Sequence, residues 1–203
     1  SCDFATSWPT TWRDRAMKDF KAKIKREKIE YPAWVGKGME FEDQVIKVCQ
    51  RSKVLDDTQH VGSNMFRDVV QRVYGGKFQN KLKRNLTIGE DKVFYFGYSD
   101  VEFDNTTIDI KTCMAWKGED KYLAKNQHLL YLWMNGKKYF QYIVVEWLHE
   151  NSNEINSVNI VDYTSPGSIK LESIIKDRTV KLFEFIRDCG LWHEYYFTFS
   201  KNK

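Results

Sequence analysis

Tyr95-Phe96-Gly97-Tyr98-Ser99-Asp100-Val101-Glu102-Phe103-Asp104-Asn105-Thr106-Thr107-Ile108-Asp109-Ile110-Lys111-Thr112 reads as a β-hairpin. One strand ends near Phe103, Asp104-Asn105 supplies the turn chemistry, and a second strand runs from Thr106 to Thr112. Because strand side chains alternate, Ile108 and Ile110 face a core while Asp109 and Lys111 face the other way. Asp is depleted in strands, so its position between two register-anchoring Ile needs a reason. Asp100 can face the same spot from the preceding strand, which brings two carboxylates and an ammonium together. Such oxygens suit a hard cation such as Mg2+, and a neighbouring Lys can hold a water or offset charge on a phosphate. A cross-strand ion pair on a solvated face is the plain alternative.

The rest of the chain bounds the answer. At 203 residues it is expected to form one domain with a substantial core, and aromatic residues are abundant at 15%. Cys2, Cys49, Cys113 and Cys189 are scattered without a C-x-x-C pair, which fits reduced thiols in an intracellular protein better than a zinc site or a disulfide scaffold. No long apolar run or signal-peptide core is present, so neither membrane insertion nor secretion is expected. Net charge is only +4, but basic residues cluster. One block runs from Arg13 to Lys28, and a second holds Arg72, Lys77, Lys81, Lys83 and Arg84 without an acid. Blocks of this kind suit a phosphate backbone, and they equally suit a solvated helix face and a basic loop.

Periodicity gives the elements. Thr10 or Thr11 can cap an amphipathic helix through Trp12, Ala16, Phe20 and Ile24, which Tyr31-Pro32 stops. Gly36-Lys37-Gly38 reads as a flexible join before a helix from Met39 to Arg51, and another helix covers Asn64 to Tyr74 before Gly75-Gly76. After the basic loop come strands at Lys92 to Phe96, Val101 to Phe103 and Thr106 to Thr112. A helix from Asp120 to Asn135 follows, closed by Gly136. Tyr139 to Trp147 reads as a buried central strand, Ile155 to Tyr163 as a strand nearer an edge, and Ser168 opens a last long helix. The order predicts an α/β fold with a mixed sheet flanked by helices.

Two further features join the hairpin. Gly38-Met39-Glu40-Phe41-Glu42 sets an acid four residues after a Gly at a helix start, with Glu40 as the rival to Glu42. Gln127 and Tyr131 stand one helical turn apart. With Gly97-Tyr98-Ser99-Asp100 and Asp109-Ile110-Lys111, these motifs fall in an order that resembles the PD-(D/E)xK nuclease superfamily, in particular its RecB-like and lambda-exonuclease-like branch. The resemblance runs from about Gly38 to Trp147. Ser99 stands where the name-giving motif has Pro, and Asp109 where Glu is commoner; neither change removes a ligand. Members that carry an iron-sulfur cluster group three cysteines near the C-terminus, where this chain has only Cys189, so no cluster is expected.

The resemblance implies a restriction-endonuclease-like fold in a single domain over 1–203, with a basic N-terminal helix in 1–37, a catalytic core in 38–147 and a C-terminal strand and helix in 148–203. It implies that Asp100, Asp109, the Ile110 carbonyl and Glu42 bind Mg2+ or Mn2+, and that Lys111 orients the attacking water. Gln127 is expected to position Lys111 or the scissile phosphate, with Tyr131 bracing it or touching DNA. Glu102 is a further acid on the same face, and His128 a candidate base or a packed bystander. Lys77, Lys81, Lys83, Arg84 and Lys117 are expected to contact DNA, with Trp116 either joining them or only shaping its loop. The implied activity is a DNA nuclease, end-processing and leaving 5'-phosphates. A sequence- or structure-specific endonuclease and a non-catalytic DNA-binding module on the same fold are the alternatives. A homo-oligomer or a recombination partner, and a phage or mobile-element setting, fit the same branch.

Overall fold

The computed structural model describes residues 10–28, 33–51, 63–149 and 152–195. Cys2 and the Tyr31-Pro32 stop lie outside them. The chain divides into two compact units, Pro32–Ile175 and the paired segments Ser1–Tyr31 and Lys176–Lys203. In the smaller unit α1 (Thr10–Lys25) places Phe20 against Phe185, with ring centroids 5.2 Å apart, and Phe183 packs on Trp192 and Tyr195.

The larger unit is a five-stranded mixed sheet in the order β1-β2-β3-β4-β5, with helices on both faces. Its strands are β1 (Lys77–Ile88), β2 (Asp91–Glu102), β3 (Thr106–Cys113), β4 (Tyr139–Trp147) and β5 (Ile155–Thr164). Its helices are α2 (Ala33–Arg51), α3 (Asn64–Val73), the short α4 (Asp120–Leu123), α5 (Gln127–Asn135) and the first part of α6 (Ser168–Asp188). β3 and β4 are parallel, joined through α4 and α5, and every other pair is antiparallel. β5 lies at an edge, as its interrupted apolar pattern predicts.

Consecutive apolar residues in β4 serve two cores. Ile143, Val145 and Trp147 pack with Ile108 and Ile110 of β3 against Phe41 and Val45 of α2 and Phe66, Val69 and Val73 of α3. Phe140, Tyr142 and Val144 pack on the other face with Leu129, Leu132 and Trp133 of α5 and Leu171 of α6. Ser63 caps α3 by accepting a hydrogen bond from the Phe66 amide at 3.3 Å, and Gly136 ends α5 in the left-handed region at φ 72°.

Four expectations are corrected. The basic stretch 77–88 is an edge strand, not a loop: Phe78, Leu82 and Leu86 alternate with Lys and Asn, and the abundance of charge hid the period of two. Residues 91–102 form one continuous strand, not two. The Gly36-Lys37-Gly38 join is helical and belongs to α2, where Gly38 allows close approach: a Cβ there would lie 2.7 Å from Thr112 Oγ1 of β3. The helix expected over 120–135 breaks between Leu123 and Gln127.

Where α3 gives way to β1, Gly76 sits against the strand ends. A Cβ on it would stand 2.3 Å from Val101 Cγ1 and 3.2 Å from the Val73 carbonyl oxygen. Gly76→Ala is therefore expected to destabilise the fold by about 1–3 kcal/mol, since a buried valine and a backbone atom must both give way. A lowered urea midpoint at an unchanged slope checks it.

Candidate functional site

β2 and β3 are hydrogen-bonded neighbours only at Val101 with Ile108 and Glu102 with Thr107. Continued by one residue, that register would set Asp100 opposite Asp109. The ladder stops there instead. On the other side of β2, Gln79 would face Asp100, but this pair is also missing from the β1–β2 ladder, and Gln79 has φ 51°. The hairpin changes faces at this point: Leu86, Val93 and Tyr95 pack with the α5 core, while Phe78 and Val101 pack with the α2–α3 core. Asp100 thus stands where its strand is released by both neighbours. Its Oδ2 takes up the freed edge of β3, accepting a hydrogen bond from the Ile110 amide at 2.7 Å. A strand residue's N–H and C=O point to the same edge, so the Ile110 carbonyl faces the same opening.

Asp109 lies on the opposite face of β3 from Ile108 and Ile110 and is buried beneath α5. Gln127 donates to its Oδ1 at 2.6 Å, so Gln127 holds Asp109, not Lys111. The Lys111 ammonium lies 2.5 Å from Asp109 Oδ2 and is paired with it. The Tyr131 hydroxyl donates to the Tyr98 carbonyl at 2.9 Å, and its ring covers Gly97, where a Cβ would come within 3.3 Å of Cε1. Both motif glycines, 38 and 97, are therefore sites of close approach beside the acids. Glu42 is half-buried and accepts a hydrogen bond from Gln79, whereas Glu40 is exposed, which decides between them by position.

The charges do not balance. Burial first, then the nearby Asp109 and Glu42 carboxylates, push Asp100 up to about 8, against the opposing pull of Lys111 and the Ile110 amide. Burial likewise raises Asp109, although Lys111, Lys125 and Gln127 oppose it. Glu42 is raised by burial, with Asp109 adding to the effect and Lys111 and Gln79 resisting. Burial works against the Lys111 ammonium, but Asp109 and Asp100 outweigh it and hold its pKa above the ordinary value.

Three buried or half-buried carboxylates thus compete for the positive charge of Lys111 and Lys125. That donor set fits a hard cation held by Asp100, Asp109 and the Ile110 carbonyl. Among the described residues no group of three or more Asp, Glu, His or Cys side chains is placed to hold a metal ion, so Glu42 does not join this pair as a third carboxylate ligand.

Several other expected residues are otherwise engaged. Glu102 belongs to a separate network: burial raises it, but hydrogen bonds from Asn135, Asn80 and Ser99 and the Lys137 ammonium at 3.5 Å win and hold it below its ordinary value. His128 is buried among Phe140, Tyr142 and Tyr163, with Nδ1 3.2 Å from the Tyr142 hydroxyl. Trp116 stacks on Tyr122, and its amide donates to Glu146 at 3.0 Å. Arg84 turns to the α5 face, binding the Trp133 carbonyl and lying 3.4 Å from Glu172. Lys77, Lys81, Lys83 and Lys117 are exposed. Two residues escaped the sequence reading, Gln79 and Lys125. The signal for Lys125 was its place two residues before Gln127, in the connection between α4 and α5.

No protein-family model and no curated protein matches this sequence. The chain is similar to the crystal structure of SSO0001 over 81% of its own length and 85% of that chain, at 17% identity and a TM-score of 0.44, a likeness too low to argue from. No helix among the described residues is long and apolar enough to cross a membrane.

The raised Asp100 carboxyl gives a test in EDTA. Its folded pKa of about 8 lies above the ordinary 3.8, so the folded state binds the proton more tightly than the unfolded chain. Its contribution to metal-free stability is full below pH 3.8 and is lost as pH rises through 8. Asp100→Asn should flatten that decline and, at the alkaline end, raise stability by about 0.5–2 kcal/mol. Thermal melts across the pH range, wild type against variant, check it.

Proposed function

We propose that the chain is a metal-dependent nuclease that hydrolyses DNA phosphodiester bonds, built on a restriction-endonuclease-like core. One observation carries the reading. Two acids from strands that part at this point share a buried, under-neutralised opening with a lysine, and the second acid is fixed by Gln127. A buried cluster short of positive charge costs stability, and such clusters gather at functional sites.

Asp100, Asp109 and the Ile110 carbonyl would hold Mg2+ or Mn2+, which when bound polarises the phosphate and lowers the pKa of a water. Lys111, kept protonated by its acidic neighbours, orients the attacking water and offsets charge growing on the phosphoryl oxygens. Gln127 fixes the rotamer of Asp109. Tyr131 ties α5 to the Tyr98 carbonyl and so holds β2 two residues before Asp100. Glu42, tethered by Gln79, acts through water at the rim of the opening. Lys125 adds positive charge near Asp109.

The purified chain, given Mg2+ with linear duplex and covalently closed plasmid in one tube, is expected to shorten only the linear DNA and leave 5'-phosphates. Cutting of the plasmid would transfer the reading to an endonuclease. No cleavage of any nucleic acid with Mg2+ or Mn2+ would leave only a binding module. Asp109→Asn should abolish cleavage, Lys111→Ala should lower it by about 100- to 1,000-fold, and Gln127→Ala by about 10- to 100-fold through the loosened carboxylate. Undiminished cleavage by Asp109→Asn would sink the proposal.

A further inference from the structure

The β1–β2 hairpin carries on one face a feature that the site above does not use. Alternation along β2 sends Phe94, Phe96 and Tyr98 to the same side, and these large rings are 57%, 63% and 49% exposed. Phe94 and Phe96 lie nearly parallel, 22° apart in plane with centroids at 6.1 Å. The antiparallel register sets Lys81 beside Tyr98 and Lys83 beside Phe96, while Lys92 stands beyond Phe94 on the same side. All three lysines are exposed. Between Lys81 and Tyr98 no carboxylate lies on this face of either strand.

The pairing of exposed rings with unopposed ammonium groups selects the occupant. A protein interface of this apolarity would be depleted of lysine at its centre. A single strand of nucleic acid needs both parts, π-faces for unpaired bases and cations for the phosphates between them. A duplex, with its bases already stacked, would offer the rings nothing. Tyr98 is two residues from Asp100, about 7 Å along the strand, and its carbonyl is the group that Tyr131 grips. We infer that Phe94, Phe96 and Tyr98, with Lys81 and Lys83, form a stacking platform that binds a single strand of nucleic acid and leads it to the carboxylate opening. As a statement about substrate this rests on the nucleolytic reading; as a statement about binding it is measured without turnover.

The test uses the full chain in EDTA, with fluorescent oligothymidylate and oligouridylate of about 15 nucleotides and a hairpin duplex for comparison, read by anisotropy. Phe94→Leu with Phe96→Leu keeps apolar bulk but removes both π-faces. It is expected to weaken binding to the preferred oligomer by at least about tenfold and to leave the duplex unaffected. Phe96→Trp should restore most of the loss in the Phe94→Leu background. Lys81→Ala with Lys83→Ala should weaken binding and flatten the log-log salt slope by about 1.4. Because the rings are exposed, melting temperature and far-UV circular dichroism should not move.

Unchanged affinity of the double leucine variant for both oligomers would overturn the inference. If light scattering also showed that variant falling from dimer to monomer, the platform would belong to a second copy of the chain. Strand binding that needs the rings in a chain that cleaves nothing would sink the nuclease reading and leave this one. Cleavage with ring-independent strand binding would do the reverse.

Discussion

Everything around the opening depends on one break in hydrogen bonding. A regular sheet would have paired Asp100 with Asp109 across β2 and β3 and with Gln79 across β1 and β2, and it would have closed over the strand edge. Both pairings are missing. The backbone groups so released need partners, and the Asp100 carboxylate supplies one to the Ile110 amide. The same break lets the long hairpin change faces, so that its end nearest the turn packs under α5 while its base packs under α2 and α3. The strand irregularity and the site are therefore one feature, in keeping with the tendency of such breaks to re-aim side chains.

The sheet is what makes this break affordable. β4 is buried on both faces and runs parallel to β3 along its full length, so β3 stays in place although β2 leaves it after two pairs. Ile108 and Ile110 are clamped in one core, which turns Asp109 towards the other, and α5 meets it there with Gln127. Close packing needs small residues at the contacts, and Gly38 against Thr112 and Gly97 against Tyr131 provide them. Backbone approach, core anchoring and the Gln127 hydrogen bond all act on the same few side chains.

Much of this was legible because strand periodicity survives an unusual composition. Ile108-Asp109-Ile110-Lys111 alternates so cleanly that the face of each residue followed at once, and β4 announced itself by three consecutive branched residues. β1 did not, since its inward residues Phe78, Leu82 and Leu86 are diluted by lysine, asparagine and arginine, and an edge strand tolerates such charge. Its identity is fixed by pairing with β2 across the tight Gly89-Glu90 turn rather than by its own composition. The same holds for Arg84, whose commitment to Trp133 and Glu172 depends on a helix packing that no local pattern announces. Gln79 was invisible for a related reason: its left-handed backbone matters only because Asp100 stands across from it. That α2 runs through two glycines was missed because propensity disfavours them, while packing against β3 decides the matter.

Asp100 and Glu102 separate a fold's limitation from its use. They sit two residues apart on one strand, and both are buried. Glu102 receives donors from Asn80, Ser99 and Asn135 and has Lys137 nearby, so its carboxyl is held below its ordinary range. Asp100 receives one backbone amide, faces two other acids and is pushed up to about 8. The scaffold can therefore satisfy a buried carboxylate, and at 102 it does so with side chains from three elements. At 100 and 109 it supplies fewer donors and more negative charge, with Lys111 the nearest cation. Burial without matching positive charge is what separates the two acids, and the proposed metal site rests on that difference.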